Sequence, residues 1–182
     1  MIRKVPLIFL VLLIASSAAV FAEPSQSYMF QTVLLVGSTE GKSDLSGVPA
    51  NVVQALEDVR QFLPYKNCRL IDASLLRSNG EARGLLKGPE GRDFELMFEF
   101  REDQSGTLQI RKFGIDTLVA QPQNRMVTEN GKTRIEHDPP SWVRRNVIAT
   151  SFTIEVGETI VVGTSKLNGT GEALIVLFTA MR

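Results

Sequence analysis

The sequence predicts an α+β fold, with one amphipathic helix packed on a mostly antiparallel β-sheet of short strands. Three observations carry this. The stretch from Pro49 to Leu63 has helical apolar spacing, with Val52, Leu56, Val59 and Leu63 on one side. Most of the remaining chain alternates apolar and polar residues in short runs, most cleanly from Asp93 to Arg101. Gly- and Asn-containing turns separate those runs, and strands joined by turns beside a segregated helix define the α+β class.

The chain opens with the features of an export signal. Arg3 and Lys4 precede the apolar run Val5 to Ile14, then the small residues Ser16 to Ala19, then Val20-Phe21-Ala22. That order predicts cleavage after Ala22. Residues 1–22 are read as a signal peptide and residues 23–182 as a single exported α+β domain. If the signal is retained, Val5 to Ala22 is long enough for a thin bilayer and supplies the chain's membrane contact. No cysteine near the end of the signal offers a lipid attachment point.

Along the domain, Glu23 to Ser27 is a polar leader and Met29 to Val36 the first strand. Gly37 to Gly47 is a polar connection, and Pro49 suits the first turn of the helix, where a missing N–H costs nothing. Pro64 stops the helix. Lys66 to Leu76 reads as a strand, Ser78-Asn79-Gly80 as a turn and Ala82 to Leu86 as a short strand. Gly88 to Gly91 is another turn. From Asp93 to Arg101, Phe94, Leu96, Phe98 and Phe100 face one side and Glu95, Met97, Glu99 and Arg101 the other. Thr107 to Phe113 returns as the hairpin partner, and Thr117 to Ala120 continues the sheet. Pro122 to Pro140 shows no usable period and predicts a long loop at about 122–140. Trp142 to Ala149 leads into the end of the chain. There Ser151 to Val156, Thr159 to Val162 and Ala173 to Phe178 read as three strands. The last is nearly continuous in apolar residues, as for a strand buried on both faces.

Composition narrows the function. Removing Arg3 and Lys4 with the signal from 20 basic residues leaves 18 against 20 acidic ones. This slightly acidic balance argues against nucleic acid as a partner. Cys68 is the one cysteine, so the domain relies on its core rather than on an internal disulfide. It is read as a buried thiol on a strand.

No motif supplies catalytic chemistry. Gly37 to Ser43 (GSTEGKS) resembles a phosphate-binding loop, but three residues separate its glycines where four are required. Asp44, Gly47 and Pro49 also intervene before the helix whose N-terminus would hold the anion. His137 is the one histidine, too few for a multi-histidine zinc site. No serine lies in a nucleophile-elbow pattern to accompany it, and it is read as a surface-loop residue. Glu95 and Glu99 lie roughly 13 Å apart by strand rise, beyond the spacing of paired glycosidase carboxylates. They are read as a solvated strand face. Asn168-Gly169-Thr170 matches a glycosylation acceptor but is accounted for as a turn. No enzyme, catalytic residue, metal or cofactor is expected.

The end of the chain resembles the closing part of the bacterial secretins, the ring-forming outer-membrane channels of type II and III secretion and type IV pilus systems. The similarity lies in Gly157-Glu158-Thr159-Ile160-Val161-Val162-Gly163 and in Glu172 to Ala180 (EALIVLFTA). Thr164 replaces the second glycine of the family pattern and Ala180 its proline. The segment that forms the gate in secretins is reduced to Ser165 to Gly171. The strand–helix–strand unit from Thr32 to Leu76 is also similar to the small periplasmic domains that precede a secretin pore.

The resulting expectation is a non-enzymatic exported protein, in the periplasm or outer envelope of a Gram-negative bacterium. It is expected to act as a secretin-like accessory that binds envelope proteins, including secretion or pilus components, through sheet edges. The candidate contacts are Thr159, Ile160, Val161 and Val162, with Ala173 to Phe178 if that strand has an open edge. Trp142, Arg144 and Arg145 form a small basic-aromatic cluster that adds to them. The alternative is a periplasmic carrier of a lipid or other apolar ligand, in a cavity under the helix lined by Phe94, Phe98, Phe100 and Phe113.

Overall fold

A computed structural model describes residues 26–129, 132–167 and 171–182. The expected signal peptide and most of the turn at Asn168 to Gly171 lie outside these residues. Strand β1 (Tyr28–Ser38) is followed by helix α1 (Ala50–Val59). Then come β2 (Asn67–Ser78), β3 (Glu81–Lys87), β4 (Asp93–Glu102), β5 (Leu108–Glu129), β6 (Lys132–Ile154), β7 (Thr159–Leu167) and β8 (Glu172–Met181). They form two four-stranded sheets, ordered β2-β1-β8-β7 and β3-β4-β5-β6, and every pairing between strands is antiparallel. The short helix and antiparallel pairing agree with the α+β expectation. The single sheet of short strands does not hold, because β5 has 22 residues and β6 has 23.

Two tight turns carry the chain between sheets. At the β2–β3 corner, the Ser78 hydroxyl donates to the Glu81 carbonyl and accepts from the Gly80 N–H. At the β6–β7 corner, Gly157 takes a φ of 96° and its N–H donates to the Ala180 carbonyl at 2.7 Å. A left-handed φ suits glycine, which has no Cβ to clash.

Between the sheets lies an aromatic core. The Phe178 ring on β8 sits 5.1 Å from Phe98, 5.4 Å from Phe113, 5.5 Å from Phe30 and 5.7 Å from Phe152, measured between centroids. Offset and edge-on pairs of this kind add to the apolar burial. Phe94, Leu96, Phe98 and Phe100 all point into this core, as the β4 alternation requires. The helix packs on the outer face of the first sheet, where Val52 and Leu56 meet Val33, Leu35, Cys68, Ile175 and Leu177. Strand β8 is therefore covered on both faces, which explains its unbroken apolar run.

Three local differences from the sequence expectation have simple causes. Pro49 occupies the N-cap in an extended conformation rather than the first turn. The helix tightens into a 3-10 turn over Arg60–Phe62, which rotates later side chains off the packing face. Phe62 is accordingly 77% exposed. Third, Ser151 to Ile154 is the end of β6 and not a separate strand.

The largest difference is the segment from Pro122 to Pro140. It is not a loop: it forms most of a two-stranded arm. Strand β4 pairs with β5 only as far as Thr117, whereas β5 and β6 remain paired out to Glu129 and Lys132. At the usual strand rise, Leu118 to Glu129 carries the ribbon about 40 Å beyond the sheet. Register shifts at Ile110/Phe113, Ile115/Asp116 and Gln121/Gln123 interrupt the ladder. Each bulge moves the alternation by one residue in one strand, but only the last lies within Pro122 to Pro140; there the described side chains are exposed on both faces, so no apolar–polar alternation marks the strands. Lys112, with φ 50°, lies within the first shift. Inward residues change there from Leu108 and Ile110 to Phe113 and Ile115.

Candidate protein-interaction site

The arm continues strands β5 and β6 of the second sheet beyond Thr117. Residues directly opposite in an antiparallel pair share a face. Leu118 lies opposite Arg144, Ala120 opposite Trp142 and Met126 opposite Ile135. The extra residue of the Gln121/Gln123 shift lies in β6, so the alternation of β5 is kept. Leu118, Ala120 and Met126 thus share one face with Trp142 and Ile135. Four of these side chains are open to solvent: Met126 is 77% exposed, Trp142 66%, Ile135 60% and Leu118 57%. The opposite face carries Val119 opposite Val143, then Gln121 opposite Ser141.

Arg144 fixes the root of the arm. Its guanidinium is 2.7 Å from the Glu95 carboxylate on β4 and 3.9 Å from Asp116 on β5. The Asn146 amide donates to Asp116 at 2.7 Å. Further down the same face, Glu99 pairs with Lys112 at 2.7 Å. Glu95 and Glu99 thus serve as ion-pair partners on the solvated face.

The basic-aromatic cluster expected from Trp142, Arg144 and Arg145 is divided by the strand. Trp142 and Arg144 share the outer face, because they are two residues apart. Arg145 points the other way and lines a cleft with Arg92, Phe94, Val119, Val147 and Lys166. Period two makes this separation unavoidable.

The second expected contact, Thr159 to Val162, lies on β7, an end strand of the first sheet. Thr159, Ile160 and Val161 pair with Thr179, Phe178 and Leu177. The Asn51 amide on α1 donates to Thr159 at 2.8 Å and to Thr179 at 3.2 Å, pinning the start of the helix to this strand. Val162 falls in a register shift. Ile160 and Val162 pack on the aromatic core, and Val161 packs on the helix side. Ala173 to Phe178 has no open edge, since β8 stands between β1 and β7.

The aromatic residues assigned to a cavity under the helix lie elsewhere. Phe94, Phe98, Phe100 and Phe113 are buried between the sheets, on the opposite side of the first sheet from the helix. The space under the helix near Cys68 amounts to about 10 Å³, about one water. Cys68 is a free, buried thiol there, and burial pushes its pKa up.

The other expected motifs are structural. Gly37 and Ser38 end β1, and a Cβ on Gly37 would fall 2.7 Å from Ile175 and 2.9 Å from Tyr65. The Asp44 N–H donates to the Cys68 carbonyl at 2.8 Å, so this segment is tied to β2 rather than wrapped as a phosphate cradle. His137 lies in β6 opposite Asn124, not in a loop. Among the described residues, no group of three His, Cys, Asp or Glu side chains converges as a metal site. No described helix is long and apolar enough to cross a membrane.

Comparison with protein-family models, with curated proteins and with solved structures gives no significant match.

The arm is the element that sequence reasoning missed, and one signal for it was present. Glu129 pairs with Lys132, and the two residues between them are Asn130-Gly131. Asn-Gly between paired runs is the strongest short hairpin signal. The apolar pairs Leu118-Val119 and Trp142-Val143 lie almost symmetrically about it.

Proposed function

We propose that this chain is a non-enzymatic exported protein of a Gram-negative cell envelope, and that it binds another envelope protein through the β5–β6 arm. The observation that carries this reading is the exposed apolar face of Leu118, Met126, Ile135 and Trp142 on a ribbon that has no third strand among the described residues. An isolated two-stranded ribbon is marginal in water, and clustered exposed apolar side chains mark contact surfaces. Binding covers that face, and a partner strand added along the arm supplies main-chain hydrogen bonds. Pro122, Pro139 and Pro140 lack N–H donors, so edge pairing is confined to the segments on either side of them. The β7 edge at Thr159 to Val162 is a second place for strand addition. Export is supported by the order of residues in the first 22 positions, and a secretion or pilus component as partner by the secretin-like terminal strands.

Crosslinking in intact cells, followed by mass spectrometry, tests the reading. The expected result is crosslinks from the arm to secretion or pilus components, lost when residues 122–140 are replaced by a two-residue turn. Crosslinks to none of these components would sink the partner class. Crosslinks that persist without the arm would sink its role. A Val161→Pro variant that folds and keeps its crosslinks would remove the β7 edge from the site.

A further inference from the structure

A cleft of about 320 Å³ opens between the inner face of β4, β5 and β6 at the root of the arm and the far end of β7. Its apolar wall is made by Phe94, Val119 and Val147, and it is flanked by the cations Arg92, Arg145 and Lys166. Among the described residues that line it, none is acidic. The strand geometry creates this arrangement. Beyond Thr117 the second sheet continues as the arm, while the first sheet ends near Leu167, so the inner apolar face runs past its cover. Phe94 closes the cleft on the core side. Gly88 permits its position, since a Cβ there would lie 2.1 Å from the ring.

We propose that this cleft binds a single-chain anionic amphiphile, with its carboxylate facing Arg145 and Lys166 and its chain against Phe94, Val119 and Val147. The charge of the lining selects the anion, and the apolar wall selects the chain. Ligand sites combine an apolar lining with a few charged groups in this way, and this volume is at the small end of their range, roughly 300–1,000 Å³. A medium-chain carboxylate of about ten heavy atoms is a ligand of the small size that such a site takes. This site lies on the face of the arm opposite Trp142 and Met126, and it does not depend on the protein partner proposed above.

Calorimetric titration of the purified protein with octanoate tests the proposal, with acetate, inorganic phosphate and 1-octanol as comparison probes. The expected result is octanoate binding with affinity at least tenfold above each comparison probe. In a variant carrying Arg145→Gln and Lys166→Gln, that affinity falls at least tenfold while the thermal midpoint is unchanged. Val119→Glu, which puts a carboxylate on the apolar wall, weakens binding similarly. Absence of octanoate binding to the wild-type protein overturns the proposal. Equal binding of acetate or phosphate overturns it in favour of a simple anion patch, and equal binding of 1-octanol overturns the role of the cations. Unchanged affinity in the double variant places the ligand elsewhere.

Discussion

The Arg144 guanidinium on β6 lies 2.7 Å from the Glu95 carboxylate on β4, a strand that is not β6's neighbour in the sheet. Glu95 on β4 pairs with Asp116 on β5, and Arg144 reaches across β5 from β6. The contact orients the arm where backbone pairing to β4 ends. Both side chains are partly solvated, so the coupling is modest, about 0.2–1 kcal/mol and weaker at high salt. A double-mutant cycle with Arg144→Ala and Glu95→Ala, read by urea unfolding at low and high salt, should return that coupling. Coupling above 2 kcal/mol, or none at low salt, would contradict this account.

Replacing residues 122–140 by Asn-Gly should leave the body intact. Among the described residues the removed strands pair only with each other, and a shorter connection lowers the entropy of the unfolded chain. Unfolding free energy should change by no more than about 1 kcal/mol, with far-UV circular dichroism still reporting sheet. Collapse of the fold would show that the arm belongs to the core.

Phe178 stands at the centre of the aromatic cluster, touching rings from β1, β4, β5 and β6. Phe178→Ala should cost about 3–5 kcal/mol, a large part of the stability of a domain this size. Urea titration measures it. A loss under 1 kcal/mol would mean that the neighbouring rings collapse into the space.

Gly37 is constrained by packing rather than by conformation, because an added Cβ would lie 2.7 Å from the Ile175 side chain and 2.9 Å from that of Tyr65. Gly37→Ala should cost about 1–3 kcal/mol through overpacking. Gly41→Ala serves as the comparison, because φ 100° strains the backbone there but no described residue lies within 4 Å of an added Cβ. Thermal melts of the two variants separate steric cost from conformational cost.

The buried Cys68 thiol gives a pH dependence of defined sign. Its pKa is raised from the ordinary 9.0, chiefly by burial. The unfolded thiol therefore loses its proton at lower pH than the folded one. This contribution is fully present below about pH 9 and is lost as pH rises through the folded pKa. Wild-type protein should lose more stability than Cys68→Ala between pH 8 and pH 10.5 in urea titrations. Parallel curves would show that the thiol does not ionise differently in the two states.

The sequence by itself determined the elements whose periods are uninterrupted. The alternation in β4, the helical stripe of Val52 and Leu56 and the double-sided run of β8 each report local geometry directly, because burial follows side-chain direction at a fixed repeat. Only the tertiary structure decided the rest. The described side chains of the arm are exposed on both faces, so no buried face imposes the apolar–polar repeat by which a strand is recognised, and the arm read as a loop despite Asn130-Gly131. Trp142, Arg144 and Arg145 read as one cluster, yet the pleat sends Arg145 into the cleft and Arg144 onto Glu95. The cleft itself joins Phe94 and Lys166, residues far apart in the chain. Their proximity depends on one sheet running past the end of the other, and that offset is set by long-range strand pairing, which no local pattern encodes.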